Sequence, residues 1–299
     1  MMTMPLDFTP GTKYAYSNFG YCVLGRIIEK ITGVRYEDYV KRVLLAPMGI
    51  TDMQTGHTQI AFRAPNEVHY YDDYDGMVQS VFPNITEPVP YPYGGFYLES
   101  FDSLGAWIAS AQDLVQFAVS IDGARLPAYL QPATLTTMLA RDPKIWSTTD
   151  HWYALGWQVT YPNWWHDGAI GGSRALLVRI PNGIAWAVLF NKYHNDPKED
   201  YLFPYVDRAL WNAFYQVTSW PSWDLFPNVI TTISSSSATL AESESTVWTT
   251  LTASSSMISS SVGETSSVNV LPSIDVVVAL VAVGLAGLAI YYRSSRKRT

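Results

Sequence analysis

Tyr16 and Asn18 stand two positions apart in the stretch Tyr14-Ala15-Tyr16-Ser17-Asn18-Phe19-Gly20, and His166 stands two before Gly168 in Trp165-His166-Asp167-Gly168, a His-x-Gly expected to open a late strand. A phenol and an imidazole are both proton-transfer groups. The phenol becomes one near neutral pH only where a neighbouring cation lowers its pKa by roughly three units. A carboxamide can hold an amide group or cap a helix, and Asn18 leads directly into a helical pattern, so both uses are open to it. Other chemistries lack their residues. Gly171-Gly172-Ser173-Arg174-Ala175 has no final glycine and runs into a strand rather than a helix, unlike a nucleophile elbow. No His-Glu-x-x-His and no paired Cys/His spacing is present, so neither a metal nor a cofactor is expected.

The elements that must carry these residues are legible from hydrophobic period. Phe19, Cys22, Val23, Ile27 and Ile31 recur at helical spacing, Asn18 stands at the N-cap position, and Gly33 closes the helix. A second helix is expected over 36–45, stopped by Pro47 and Gly49. From 51 to 101 the pattern dissolves into aromatics, acids and prolines, a long irregular excursion of a kind that is uncommon unless it serves function. Within it, Asp73 and Asp75 before Gly76 only weakly resemble a calcium loop, because Tyr71 and Phe82 would fill its first and last ligand positions. Ser110-Ala111-Gln112-Asp113 is a capping box whose helix buries Leu114, Phe117, Ala118 and Ile121 and ends at Gly123; a short helix over 132–139 follows. The period then changes to two. Strands are expected over 153–160, 173–180 and 184–190, the last two joined by a hairpin turn at Pro181-Asn182-Gly183. A final helix with Pro204 near its start carries Val206, Leu210, Phe214 and Val217.

Composition narrows partners and compartment. The chain of 299 residues is 48% hydrophobic, enough for a full core, and its net charge is −7. Setting aside Asp275 and the basic Arg293, Arg296, Lys297 and Arg298 leaves the preceding chain at about −10, a surface that repels phosphate backbones; nucleic acid is not an expected partner. The single Cys22 cannot form an intrachain disulfide and is expected as a small buried hydrophobe. Residues 276–290 are apolar without a charge, followed by Tyr291, Tyr292 and a basic cluster. This is the pattern of a C-terminal membrane span with a cytoplasmic tail. Between 231 and 270 more than half of the residues are Ser or Thr, as in an extended stalk. The expected order is a domain over 1–223, a stalk over 224–270, a span over 271–292 and a tail over 293–299. The domain would then lie outside the cell membrane, where Asn84-Ile85-Thr86 is a candidate glycosylation site.

Helices first and antiparallel strands later, closed by a helix, suggest an α+β layer fold. The motifs sharpen this. Phe8-x-Pro10-Gly11 through Tyr16-Ser17-Asn18-x-Gly20-Tyr21-x-x-Leu24-Gly25-x-x-Ile28-Glu29-x-x-Thr32-Gly33, then Pro47-Met48-Gly49-Ile50, then Ser110-Ala-x-Asp113-Leu114-x-x-Phe117, then His166-x-Gly168 with Gly171-Gly172, Pro181 and Asn191, closely resemble the β-lactamase-related serine hydrolases. That family includes class C β-lactamases and D-alanyl-D-alanine carboxypeptidases. The resemblance runs from about Leu6 to Val217 and implies a β-lactamase/transpeptidase-like fold, with a helical lobe and an antiparallel sheet flanked by helices. It implies acyl-enzyme chemistry on an amide, peptide or ester, with a small molecule or peptide as substrate. Tyr16 would transfer protons beside a motif lysine, and Asn18 would hold the substrate's amide side chain. His166 would orient the tyrosine or bind a substrate carboxylate. Gly168 would let substrate approach the strand, and the Ala169 N–H would be one oxyanion donor. Asp167 departs from the family's usual Thr or Ser. The family's Ser-x-x-Lys, which lies upstream of Tyr-x-Asn, occurs here only as Ser294-Ser295-Arg296-Lys297 beyond the expected span. The resemblance therefore implies an N-terminally truncated domain, inactive alone, or else a non-catalytic surface module.

Overall fold

The computed structural model describes residues 5–72, 76–124, 128–146, 150–181, 183–192 and 202–226. Helix α1 (Asn18–Thr32) begins at Asn18, the residue expected as its cap, and the cap lies one residue earlier. Ser17, in extended conformation, accepts a hydrogen bond from the Gly20 N–H at 3.0 Å, and Asn18 is the first helical residue. Gly33 ends the helix in the left-handed region at φ 68°, which a side chain would resist. Helix α2 (Tyr36–Val40) continues through a π-helical turn to Leu45 and a short 3₁₀ turn over Ala46–Met48, where Pro47 stops it. Tyr36, Tyr39, Val40, Leu44, Leu45 and Met48 are all buried there.

The excursion is as irregular as its composition suggests. Its described residues hold two-residue strands, β1 (Gln54–Thr55), β2 (Met77–Val78) and β3 (Val89–Pro90), with 3₁₀ turns between them. Asp73 and Asp75 of the weak calcium pattern lie outside the described residues, and Asn84 is exposed on a turn. Strand β4 (Trp107–Ile108) pairs with β1 and leads into α3 (Ala111–Ile121). The capping box at α3 is complete: Asp113 N–H donates to Ser110 Oγ at 3.0 Å, and Ser110 N–H donates to Asp113 Oδ2 at 2.9 Å. Helix α4 (Pro132–Met138) starts with its proline in the first turn.

The strands form one antiparallel meander, β5 (His151–Tyr153), β6 (Gln158–Thr160), β7 (Asn163–Ile170), β8 (Ser173–Ile180) and β9 (Ile184–Phe190). Two expectations change here. The single strand over 153–160 is a hairpin, turned at Gly156 (φ 77°) with Ala154 N–H donating to the Trp157 carbonyl at 2.8 Å. Aromatic residues on both sides of the turn disguised it as one alternating run. His166, expected to open a strand, lies in the middle of β7.

Side-chain alternation along β8 places a layer on each sheet face. Leu177 joins the core with Leu114, Phe117, Ala118 and Ile121 of α3, whereas Leu176, Val178 and Ile180 pack under Leu210, Trp211 and Phe214 of α5 (Leu202–Gln216). The result is helix, sheet, helix. Asp122 at the end of α3 holds Arg179 of β8 through a 3.2 Å ion pair, both side chains largely out of solvent. Cys22 is only partly buried, its thiol directed at the Ser100 carbonyl; α1 is too thinly covered to enclose it. Among the described residues no helix is long and apolar enough to cross a membrane. The expected span and tail, and the stalk from 227 on, lie outside the described residues.

Candidate active-site cleft

Where α1 meets β7 the surface folds into a cleft of about 340 Å³. Tyr16, Asn18, His166, Gly168 and Ala169, the five residues singled out from sequence, all line it. Because Ser17 caps α1, the Asn18 carboxamide is released from that task. Strand β7 contributes more than side chains. Its pairing with β6 ends at Trp165 opposite Gln158, so from His166 onward the edge of β7 away from β8 faces the cleft. A strand edge offers alternating N–H and C=O groups, which can receive an extended ligand or a developing oxyanion.

The other wall is held together by close approaches. Ser103 Oγ donates to the Tyr21 carbonyl at 3.0 Å, and Arg26 pairs with Asp102. Gly25 lies so near Ser103 that a Cβ there would overlap its side chain. These contacts set the turn bearing Phe101, Leu104 and Gly105 against α1, and all three residues line the cleft. At the far end, Gly171 and Gly172 (φ 85°) receive the Tyr91 ring and Pro92 against the β7–β8 turn, leaving no room for a side chain at either glycine.

The surroundings of Tyr16 and His166 favour the neutral form of each. Burial raises the Tyr16 phenol above its ordinary value of 10.0, and the Asp167 charge raises it further. The lysine that could reverse this shift is not among the lining residues. His166 is buried; desolvation lowers its pKa, and the neighbouring Asp167 charge opposes the shift. Asp167 itself pairs with Arg174 at 3.7 Å. The His166 Nε2 is 3.1 Å from the Tyr153 hydroxyl, and Tyr153 packs edge-on against Tyr16 with centroids 5.7 Å apart. Tyr153 and the cleft-lining Gln158 escaped sequence reasoning because both were assigned to one strand. Only the hairpin sets them opposite each other, beside β7. No group of His, Cys, Asp and Glu that could hold a metal occurs among the described residues.

Residues 1–210 match the family model described as Beta-lactamase. The chain belongs to the beta-lactamase family. Among curated relatives, it is 28% identical over 198 residues to Penicillin-binding protein 4 of Amycolatopsis lactamdurans, covering 62% of this chain and 49% of that protein. It is also 28% identical over 205 residues to the mitochondrial serine beta-lactamase-like protein LACTB of Mus musculus, covering 63% and 36%. The chain thus spans half or less of the length of these relatives. A solved penicillin binding protein from Bacillus halodurans superposes with a TM-score of 0.52 at 16% identity, over 71% of this chain and 59% of that one, which establishes the shared fold. The helix wall carries Tyr16 and Asn18, and the sheet wall carries His166 and Gly168.

Proposed function

We propose that this chain supplies two walls of an acyl-transfer cleft in a membrane-anchored beta-lactamase-related serine hydrolase, and that it forms no acyl-enzyme alone. The nucleophile would come from a Ser-x-x-Lys segment outside this sequence. The observation that carries the reading is the convergence on one cleft of Tyr16 and Asn18 with His166, Gly168 and Ala169, which are some 150 positions away in the chain. In the complete site, a lysine ammonium beside Tyr16 would offset the burial and the Asp167 charge that now hold its proton on. Asn18 and the free edge of β7 would seat the acyl group of an amide, peptide or ester. The Ala169 N–H would be one oxyanion donor, and His166 would orient the phenol or receive a substrate carboxylate. The apolar run over 276–290 would tether the domain outside the membrane, with the basic tail in the cytoplasm and Asn84 open to glycosylation.

A second reading is a non-catalytic surface module. It is favoured by Asp167, which adds a negative charge where a substrate carboxylate would bind and which raises the Tyr16 phenol. Two measurements separate the readings. A β-lactam or fluorophosphonate probe is expected to leave the 299-residue chain unlabelled; labelling would overturn the proposed inactivity. Mass spectrometry of the native membrane fraction is expected to find peptides containing an in-frame Ser-x-x-Lys ahead of Met1, with that serine probe-reactive. A native protein beginning at Met1 would favour the non-catalytic module.

A further inference from the structure

Tyr153 belongs to none of the motifs that place this chain in its family, yet it touches both walls of the cleft. Its hydroxyl is 3.1 Å from Nε2 of His166 on β7. Its ring meets Tyr14 at 5.3 Å and Tyr16 at 5.7 Å between centroids. His166 is 5% exposed, and its Nδ1 is buried without a hydrogen-bond partner among the described residues. The bond to Tyr153 is thus the side-chain hydrogen bond that defines the imidazole's orientation. A hydroxyl bonded to Nε2 donates to it in one tautomer of the neutral imidazole and accepts from it in the other. The two tautomers therefore differ in this bond, which biases the imidazole toward one of them. Along β7, Asp167 and its partner Arg174 are the nearby charges.

We propose that Tyr153 is a positioning residue of the cleft. It holds His166 in one orientation and biases its tautomer, and through its ring contacts with Tyr14 and Tyr16 it sets β7 against the segment that leads into α1. The inference rests on reading His166 as a cleft group. It uses a bond that exists whether or not a nucleophile is present, so it can be tested on the whole 299-residue chain.

The test is the side-chain ¹⁵N–¹H spectrum of the ¹⁵N-histidine-labelled chain in detergent at pH 7.5, with His166 assigned by its loss in His166→Gln. The expected wild-type pattern is two widely separated ring nitrogens, the signature of a single tautomer. In Tyr153→Phe, which keeps the ring and removes the hydroxyl, the two resonances should move toward each other as tautomers mix. Unchanged separation in Tyr153→Phe would overturn the proposal. So would a wild-type spectrum already averaged between tautomers, a result that needs no variant to fold. Failure of an upstream serine to react with acylating probes would count against the proposed enzyme and leave this spectrum unmoved.

Discussion

The two walls of the cleft are built to different standards. On the sheet side, seven of the eight residues of β8 are buried, and His166 and Gly168 of β7 are enclosed. Trp157 and Trp164 meet edge to face with centroids 4.4 Å apart. On the helix side, α1 buries only Gly25 and Ile28, while Tyr14, Tyr16, Phe19, Ile27 and Ile31 remain 40–51% exposed. An amphipathic helix normally buries its apolar stripe, and among the described residues α1 is covered far less than the sheet wall. The difference teaches that the two halves of the site respond to different perturbations. The sheet wall stands or falls with the core, and the helix wall depends on local devices, a cap and a few loop contacts.

Breaking the sheet wall should have the largest effect. Trp157→Ala removes a fully buried indole from the centre of the core, and chemical denaturation should show a loss of about 3–5 kcal/mol. Gly171→Ala drives a methyl group into the Tyr91 ring, and the same measurement should show about 1–3 kcal/mol lost. Ser17→Ala acts on the other wall. It removes the cap of α1, costs about 1 kcal/mol and should speed amide exchange in the first turn of α1 while leaving β7 and β8 protected. If exchange rose equally in both, the walls would be one cooperative unit and the distinction would fail.

The smallest effect is electrostatic. The folded-state pKa of His166 lies below its ordinary value of 6.5, so near neutral pH and above both states are neutral and nothing is lost. As pH falls below 6.5 the unfolded chain takes up a proton that the folded chain refuses, and stability declines until the folded pKa is reached. Because Asp167 opposes the burial, the decline should be modest, and His166→Gln should flatten the dependence of melting temperature on pH in that range.

Much of this was readable without coordinates. The capping box at Ser110, the buried face of α3 and the hairpin joining β8 to β9 follow from local chemistry, and each occurs where the period and the turn residues place it. The five cleft residues were singled out for a different reason, a resemblance of their types and spacing to a family pattern, and all five line one cleft. Two local judgements failed because neighbouring residues offered equivalent signals. Ser17 and Asn18 are both good caps, and only backbone geometry decides that Ser17 takes the role. The run over 153–160 alternates like a strand, and one glycine in the left-handed region turns it back on itself.

Sequence by itself determined most of the helices, the hairpin of the last two strands, the family and the residue types available for chemistry, because helix caps, hydrophobic period and motif spacing are properties of neighbouring residues. Tertiary structure alone decided that Tyr153 reaches His166, that Gln158 and the turn at Phe101 join the cleft, and that burial and Asp167 push the Tyr16 phenol above its ordinary value. Those outcomes depend on desolvation and on distances between groups far apart in the chain, which no local pattern encodes.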